Sequence, residues 1–337
     1  MTADAPTLSV VVIGRNEGER LVRCLRSVAA MRLPDSVREV IYVDSASSDG
    51  SAERAAALGV RVIGLPPGRL APGRARNAGW RAAAAAMVLF LDGDTVLDPD
   101  FVAAALPAFA TPAIAVVSGH RRELDPRASI FQRVVDLDWI YPPGPSAYCG
   151  GDALMRRDVL EAVGGFDETL IAGEEPELCQ RIRAAGHIIL HIDHPMTLHD
   201  LAMTRWRQYW RRAVRTGRAY IEVADRCQRR GSRLWRREVR TNLMQGTALV
   251  ALPAIGVGLS VWTASLRPLL AVVALLTLLV CRTAARARWR SPEWATRVLY
   301  AIHSHLLHVP ILVGQLGYRW ERWRDRRSVL RQVAERE

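Results

Sequence analysis

The sequence predicts an α/β domain, with a mostly parallel sheet and helices on both faces, followed by an α-helical membrane region. Three observations predict it. Short apolar runs alternate with helix-like stretches over the first 200 residues. Two long stretches without charge follow residue 240. The charge balance also reverses along the chain: residues 1–200 carry 20 Arg against 26 Asp and Glu, and residues 201–337 carry 26 Arg against 8. An acidic half joined to a basic half predicts that only the second half meets a polyanion.

Composition excludes some classes. There is no lysine, and the five cysteines (Cys24, Cys149, Cys179, Cys227, Cys281) are scattered without a C-x-x-C pair. Neither a disulfide framework nor a zinc site is expected. The opening "MTADAP" leads directly into a strand and does not resemble a signal peptide.

The elements follow in order. "LSVVVIG" (Leu8–Gly14) is apolar throughout, as a buried strand requires, and "EGERLVRCLRSVAAM" carries apolar residues at helical spacing. "EVIYVD" (Glu39–Asp44) is a second strand, "GSAERAAALG" a helix and "VRVIGL" a third strand. A helix over "GRARNAGWRAAAAA" leads into a fourth strand, "MVLFLD". Strand–helix alternation of this kind predicts a parallel sheet, whose ligands bind beyond the carboxyl ends of the strands. Polar residues stand at those ends: Asn16 and Glu17 after the first strand, Asp44 after the second, Asp92 and Asp94 after the fourth.

The character then changes. "TRWRQYWRRAVRTGRAYIEV" sets Trp206, Trp210, Val214 and Ile221 near one helical face among arginines, a pattern suited to an anionic membrane surface or to packing on the domain. Leu243–Trp262 contains no charge and has the ~20 residues a bilayer span needs. "PLLAVVALLTLLVC", ending at Cys281, forms a helical hairpin with it. A third stretch, 298–318, carries His303, His305 and His308 between basic segments, which favours an interfacial or re-entrant helix over a third span. The expected division is 1–200 catalytic, 201–242 basic interfacial helices, 243–283 transmembrane hairpin, and 284–337 an interfacial or third membrane helix with a basic tail.

Six stretches, "VVVIGRNEGERLVRCLRSV", "IYVDSASSDGS", "GRARNAGW", "VLFLDGD", "VLEAVGGFDE" and "GEEPELCQRIRAAGH", occur in one order over residues 8–200. In that order they resemble the inverting family 2 glycosyltransferases of GT-A fold. The resemblance implies a nucleotide-diphospho-sugar donor and a divalent cation, Mg²⁺ or Mn²⁺, whose hard character suits oxygen ligands. It places Asp94 on the metal and Asp92 on the ribose or the metal, with Gly93 between them. His199, in "MTLHD", matches a position where many such enzymes put a histidine on the same metal; an ordinary surface histidine is the alternative. Asp44 matches a base-reading aspartate that selects uracil or thymine, or else caps the next helix. Asn16, Glu17 and Arg76 are expected in the nucleotide pocket, with Arg15 where many relatives carry an aromatic residue. A solvated helix start is the other reading of Arg76.

In "GEEPEL", Glu175 stands where relatives usually place an aspartate general base, beside Glu174. Glutamate can abstract the same proton with one more methylene of reach. An acidic helix start with Pro176 is the structural alternative, and both can hold together. Gly150 and Gly151 are expected to let backbone approach the sugar, and Gly164-Gly165-Phe166 to form a turn and a packing contact. Trp139 and Tyr141 are weaker candidates for stacking on an acceptor sugar. Processive members carry Q-x-x-R-W; here Arg205-Trp206 are present but Ala202 holds the glutamine position, which points to single additions. The expected activity is a transfer from a UDP- or dTDP-sugar to a lipid-linked or glycan acceptor, in polysaccharide or glycolipid biosynthesis. The expected location is the cytoplasmic membrane, multi-pass with the catalytic domain cytoplasmic, touching anionic lipids and no nucleic acid. An inactive nucleotide-sugar-binding protein and a nucleotidyltransferase are the competing readings.

Overall fold

The computed structural model describes residues 7–33, 38–68 and 71–334; the opening "MTADAP" lies outside them. The chain divides into two compact units. One takes residues up to Pro126 together with Asp138–Ala202, and the other takes Arg127–Leu137 with the chain from Met203 onward.

The strands are β1 (Leu8–Gly14), β2 (Arg38–Asp44), β3 (Arg61–Gly64), β4 (Met87–Asp92), β5 (Thr95–Leu97), β6 (Ile114–Glu123), β7 (Gly144–Ser146), β8 (Ala153–Arg156) and β9 (Ile188–His199). The helices are α1 (Glu19–Ala29), α2 (Ser51–Ala57), α3 (Pro72–Ala82), α4 (Phe101–Ala105), α5 (Ile130–Asp138), α6 (Arg157–Val163) and α7 (Glu174–Ala184), then α8 (Trp206–Arg229), α9 (Arg236–Trp262), α10 (Arg267–Arg286), α11 (Trp294–Leu306) and α12 (His308–Ala334).

Among the described residues one sheet runs β3-β2-β1-β4-β8-β6-β9-β5, with β7 also on β9. The first four strands are parallel, as their apolar runs predict. Beyond β4 the sheet is mixed, because β8 enters antiparallel between β4 and β6.

Both faces of β1 are buried, which explains its unbroken apolar run. Val11 and Ile13 pack with Trp80 of α3 and Leu178 and Ile182 of α7. Val10 and Val12 pack with Leu21, Leu25 and Val28 of α1 and with Phe101 of α4. Burying each such side chain contributes about 1.5–3 kcal/mol. Register then aligns the polar strand ends: Gly14 lies opposite Asp44, and Ile13 opposite Asp92.

In the helical unit, α9 and α10 are long and apolar enough to cross a membrane. Only 11% and 6% of their apolar windows are buried, which separates them from soluble core helices. The 298–318 stretch is broken at Leu307 between α11 and α12. Its histidines join helices: Tyr209 and His303 are hydrogen-bonded at 2.8 Å, and His305 and Thr283 at 3.0 Å. Segment 127–137, placed with the first domain by the sequence reading, belongs to this unit. Ser129 Oγ donates to the Met203 carbonyl, and the Phe131 ring meets Trp206 and Tyr209. The tryptophan face of α8 is divided, with Ile221 buried and Trp206 exposed. The helix buries Tyr209, Ala213 and Gly217 instead, and Gly217 abuts the backbone of Ile311 on α12.

Candidate active site

Asp92 closes β4, and Asp94 lies two residues on, before β5. The Gly93 N–H donates to the Ile13 carbonyl at 2.8 Å, which ties the turn to β1. Gly93 does not adopt a left-handed φ; its need is close packing, since a Cβ there would lie 3.1 Å from both Glu17 Cγ and the Ile13 carbonyl. β5 pairs antiparallel with β9, so Thr95 faces His199 and the Asp200 N–H donates to the Asp94 carbonyl at 2.8 Å. That register carries a histidine over 100 residues away in sequence to 3.4 Å from the Asp94 carboxylate. Ligand atoms of Asp92, Asp94 and His199 all lie within 4.8 Å of one another. Two carboxylates and an imidazole at this spacing fit a Mg²⁺ or Mn²⁺ ion. Burial first, then Asp92 and Glu17, push the Asp94 carboxyl up to about 8. A bound cation reverses that sign.

Arg76, on α3, is not a solvated helix start. Its side chain is 2% exposed and donates to Asp92 at 2.8 Å and Glu174 at 2.7 Å, with Glu175 at 3.2 Å. Burial disfavours its charge, but Glu175, Asp92 and Glu174 more than offset this, so its pKa is raised. Glu174 and Glu175 open α7 after Gly173, which caps the helix at φ 84°. Glu174 is buried, while Glu175 keeps 18% of its side chain exposed. Burial, then Glu174, push the Glu175 carboxyl up to about 7, with Arg76 pulling the other way.

A Cβ on Gly151 would lie 2.5 Å from Arg76 Nη2 and 2.6 Å from Asp92 Oδ2, so a side chain there would displace them. At Gly150 the nearest atom would be Arg121 Nη1, at 3.4 Å. Gly164 and Gly165 turn at positive φ, and Phe166 packs edge-on against Phe90, the turn and packing contact expected of them.

The nucleotide-side residues form a neighbouring cluster. Asp44 is 5% exposed and accepts from Tyr42 Oη at 2.9 Å and the Ser47 N–H at 2.8 Å. It does not cap α2; Asp49 accepts the Ser51 N–H instead. Asn16, at φ 57°, receives the Ser48 N–H on its side chain and donates its own N–H to Ser47 Oγ, stitching the β1 and β2 loops together. Glu17 is paired with Arg20 at 2.7 Å, and burial raises its pKa.

Sequence reasoning missed two residues. Arg121 on β6 reaches Asp92 at 3.5 Å and Asp152 at 3.9 Å, and stacks on Trp139, which in turn meets His199 edge-on. Asp152, 3% exposed, accepts the Asp92 N–H at 2.9 Å and the Thr197 hydroxyl at 2.8 Å. The position of Asp152 beside the glycine pair was its only local signal. Trp139 therefore has its ring engaged by the site, whereas Tyr141 is 48% exposed.

The profile described as "Glycosyl transferase family 2" matches residues 9–164, and that described as "Glycosyl transferase family group 2" matches residues 87–301, more than half of the chain. The chain belongs to glycosyltransferase family 2. Similar proteins include glycosyltransferase AglE of Haloferax volcanii, 23% identical over 66% of this glycosyltransferase and 76% of that protein. The pre-mycofactocin glycosyltransferase of Mycobacterium tuberculosis is 28% identical over 57% of this chain, and the match spans only 42% of that relative. A solved structure, mannosyltransferase PcManGT from Pyrobaculum calidifontis in complex with GDP-Man and Mn²⁺, superposes with a TM-score of 0.62. It covers 95% of this chain and 88% of that one at 18% identity, a likeness of fold.

Proposed function

We propose that this family 2 member transfers one sugar from a UDP- or dTDP-sugar to a lipid-linked or glycan acceptor, with inversion at the anomeric carbon. The observation that carries the reading is Arg76, whose single guanidinium contacts both the Asp92 end of the carboxylate–histidine cluster and the Glu174–Glu175 pair. Metal site and base are thereby held in one constellation.

In this reading Asp92, Asp94 and His199 hold Mg²⁺ or Mn²⁺, which supplies charge neutralisation at the donor diphosphate. Glu175 takes the proton of the acceptor hydroxyl, whose oxygen attacks the anomeric carbon. The bond from that carbon to the diphosphate oxygen breaks on the opposite face. A carboxylate poised near neutrality suits this task, and Glu174, paired to Arg76, positions it. Asp44 accepts an N–H of the base, Asn16 and Glu17 shape the pocket beside it, and Gly150 and Gly151 leave room for the sugar.

Residues 1–200 form the catalytic domain in this reading. The 201–242 segment and the 284–337 region lie at an anionic membrane surface, and the 243–283 hairpin crosses the cytoplasmic membrane from the inner side, in polysaccharide or glycolipid biosynthesis. Two helices whose apolar windows are only 11% and 6% buried support the anchoring. Nucleotide binding tests the donor assignment. Calorimetry of the detergent-extracted chain should detect UDP or dTDP in the presence of Mn²⁺, weakened by Asp44→Asn. Tighter binding of GDP would reassign the base, and failure of every nucleotide would overturn the reading.

A further inference from the structure

A cavity of about 710 Å³ lies wholly within the helical unit, among α8, α9 and α12. Four arginines line it: Arg236 and Arg240 from α9, Arg319 and Arg322 from α12. Among the described residues its one acidic lining group is Asp225, so the cavity carries a surplus of positive charge. Other arginines of this unit are already balanced: Arg218 pairs with Glu222 and Glu321, and Arg226 with Glu222. Arg236, Arg240 and Arg319 have no such carboxylate partner among the described residues. Planar guanidiniums on facing helices match a phosphate group, which each can bind with two N–H donors.

Position along α9 decides the source of that phosphate. The apolar run begins at Leu243, and Leu243 and Met244 line the same cavity as the arginines. At ~1.5 Å per helical residue, Arg240 lies ~5 Å and Arg236 ~10 Å outside the apolar run. That is headgroup depth beside a hydrocarbon layer ~30 Å thick. A free phosphate ion has no use for the Leu243–Met244 wall, whereas a lipid can place its phosphate among the arginines and its chains along α9.

We propose that this groove binds the phosphate headgroup of an anionic membrane lipid. The inference rests on the membrane-spanning reading of α9 and names a defined site within it.

The test uses the full chain reconstituted into phosphatidylcholine bilayers with and without phosphatidylglycerol, then re-extracted into mild detergent. Native mass spectrometry counts the retained lipid. Phosphatidylglycerol should be retained in preference to phosphatidylcholine, and Arg240→Gln/Arg319→Gln should weaken that retention at least about tenfold. Both side chains are exposed, and unchanged thermal unfolding and donor hydrolysis in detergent should show that the variant is folded. Added inorganic phosphate should not displace the lipid. Equal retention by variant and wild type overturns the site, as does displacement by millimolar phosphate, which would make it a free-anion site. Failure of the chain to float with either vesicle overturns the membrane reading itself and is seen in a separate arm.

Discussion

Arg76 donates to Asp92 at 2.8 Å from a guanidinium that is 2% exposed. The bond links α3 to the end of β4, and the same side chain reaches the first turn of α7. One buried cation therefore fixes a candidate metal carboxylate and the candidate base together.

Removing that cation strands Glu174 and Glu175 and leaves Asp92 with Arg121 alone. Arg76→Met should destabilise the fold by about 3–5 kcal/mol, because uncompensated buried charge costs more than the lost pair contributed. Arg76→Lys should recover part of the stability but not the two-sided contact, since an ammonium lacks the planar fork. Thermal unfolding of the detergent-extracted chain checks both.

Gly151 and Gly150 should behave differently. Gly151→Ala places a Cβ against Arg76 and Asp92, at 2.5 and 2.6 Å, so Asp92 must shift. Mn²⁺ affinity should fall about 10–100-fold, as when a ligand's supporting contacts are lost. Gly150→Ala meets only the end of Arg121 at 3.4 Å and should change affinity little. Titration with Mn²⁺ distinguishes the two.

Glu175 should write its ionisation into the pH profile. Its carboxyl is pushed up to about 7, and the base must be ionised, so kcat/KM should rise with pH to a plateau above neutrality. Glu175→Gln should lower the rate by about 10²–10⁴-fold. The stability sign is opposite. Between the ordinary glutamate value and 7, the folded chain holds a proton that the unfolded chain has released, so this residue's contribution falls as pH rises through that window. Glu175→Gln should therefore unfold at a higher temperature than wild type at pH 8.

Asp94 shows the same trade. It is crowded by Asp92 and Glu17, so Asp94→Asn should stabilise the chain in EDTA by about 1 kcal/mol. The rise in melting temperature on adding Mn²⁺ should disappear in the same variant. Paired melting curves with EDTA and with Mn²⁺ measure both effects.

Much of this site was legible in the sequence because parallel strands place their ends on one edge. Asn16, Asp44 and Asp92 could be grouped from apolar runs alone. Arg121 and Asp152 could not, since they reach Asp92 only through the antiparallel insertion of β8 between β4 and β6. The buried role of Arg76 was hidden for a related reason: its partners arrive from β4 and α7. Local periodicity set Trp206, Trp210, Val214 and Ile221 near one face of α8, and the structure divides that face, with Trp206 exposed and Ile221 buried. The buried side is set by α12, where Gly217 meets the Ile311 backbone and Gly314 meets the Val214 carbonyl, and no window on α8 contains those α12 partners.

Nucleotide release from UDP-, dTDP- and GDP-sugars by the detergent-extracted chain, with membrane lipids supplied as acceptors, is the decisive test of a metal-dependent sugar transfer at this site. One donor class should turn over with Mn²⁺ or Mg²⁺, EDTA should stop it, and Asp94→Ala and Glu175→Gln should each lose at least about 100-fold. Nucleotide binding without turnover of any donor would contradict it, as would turnover that survives Asp94→Ala.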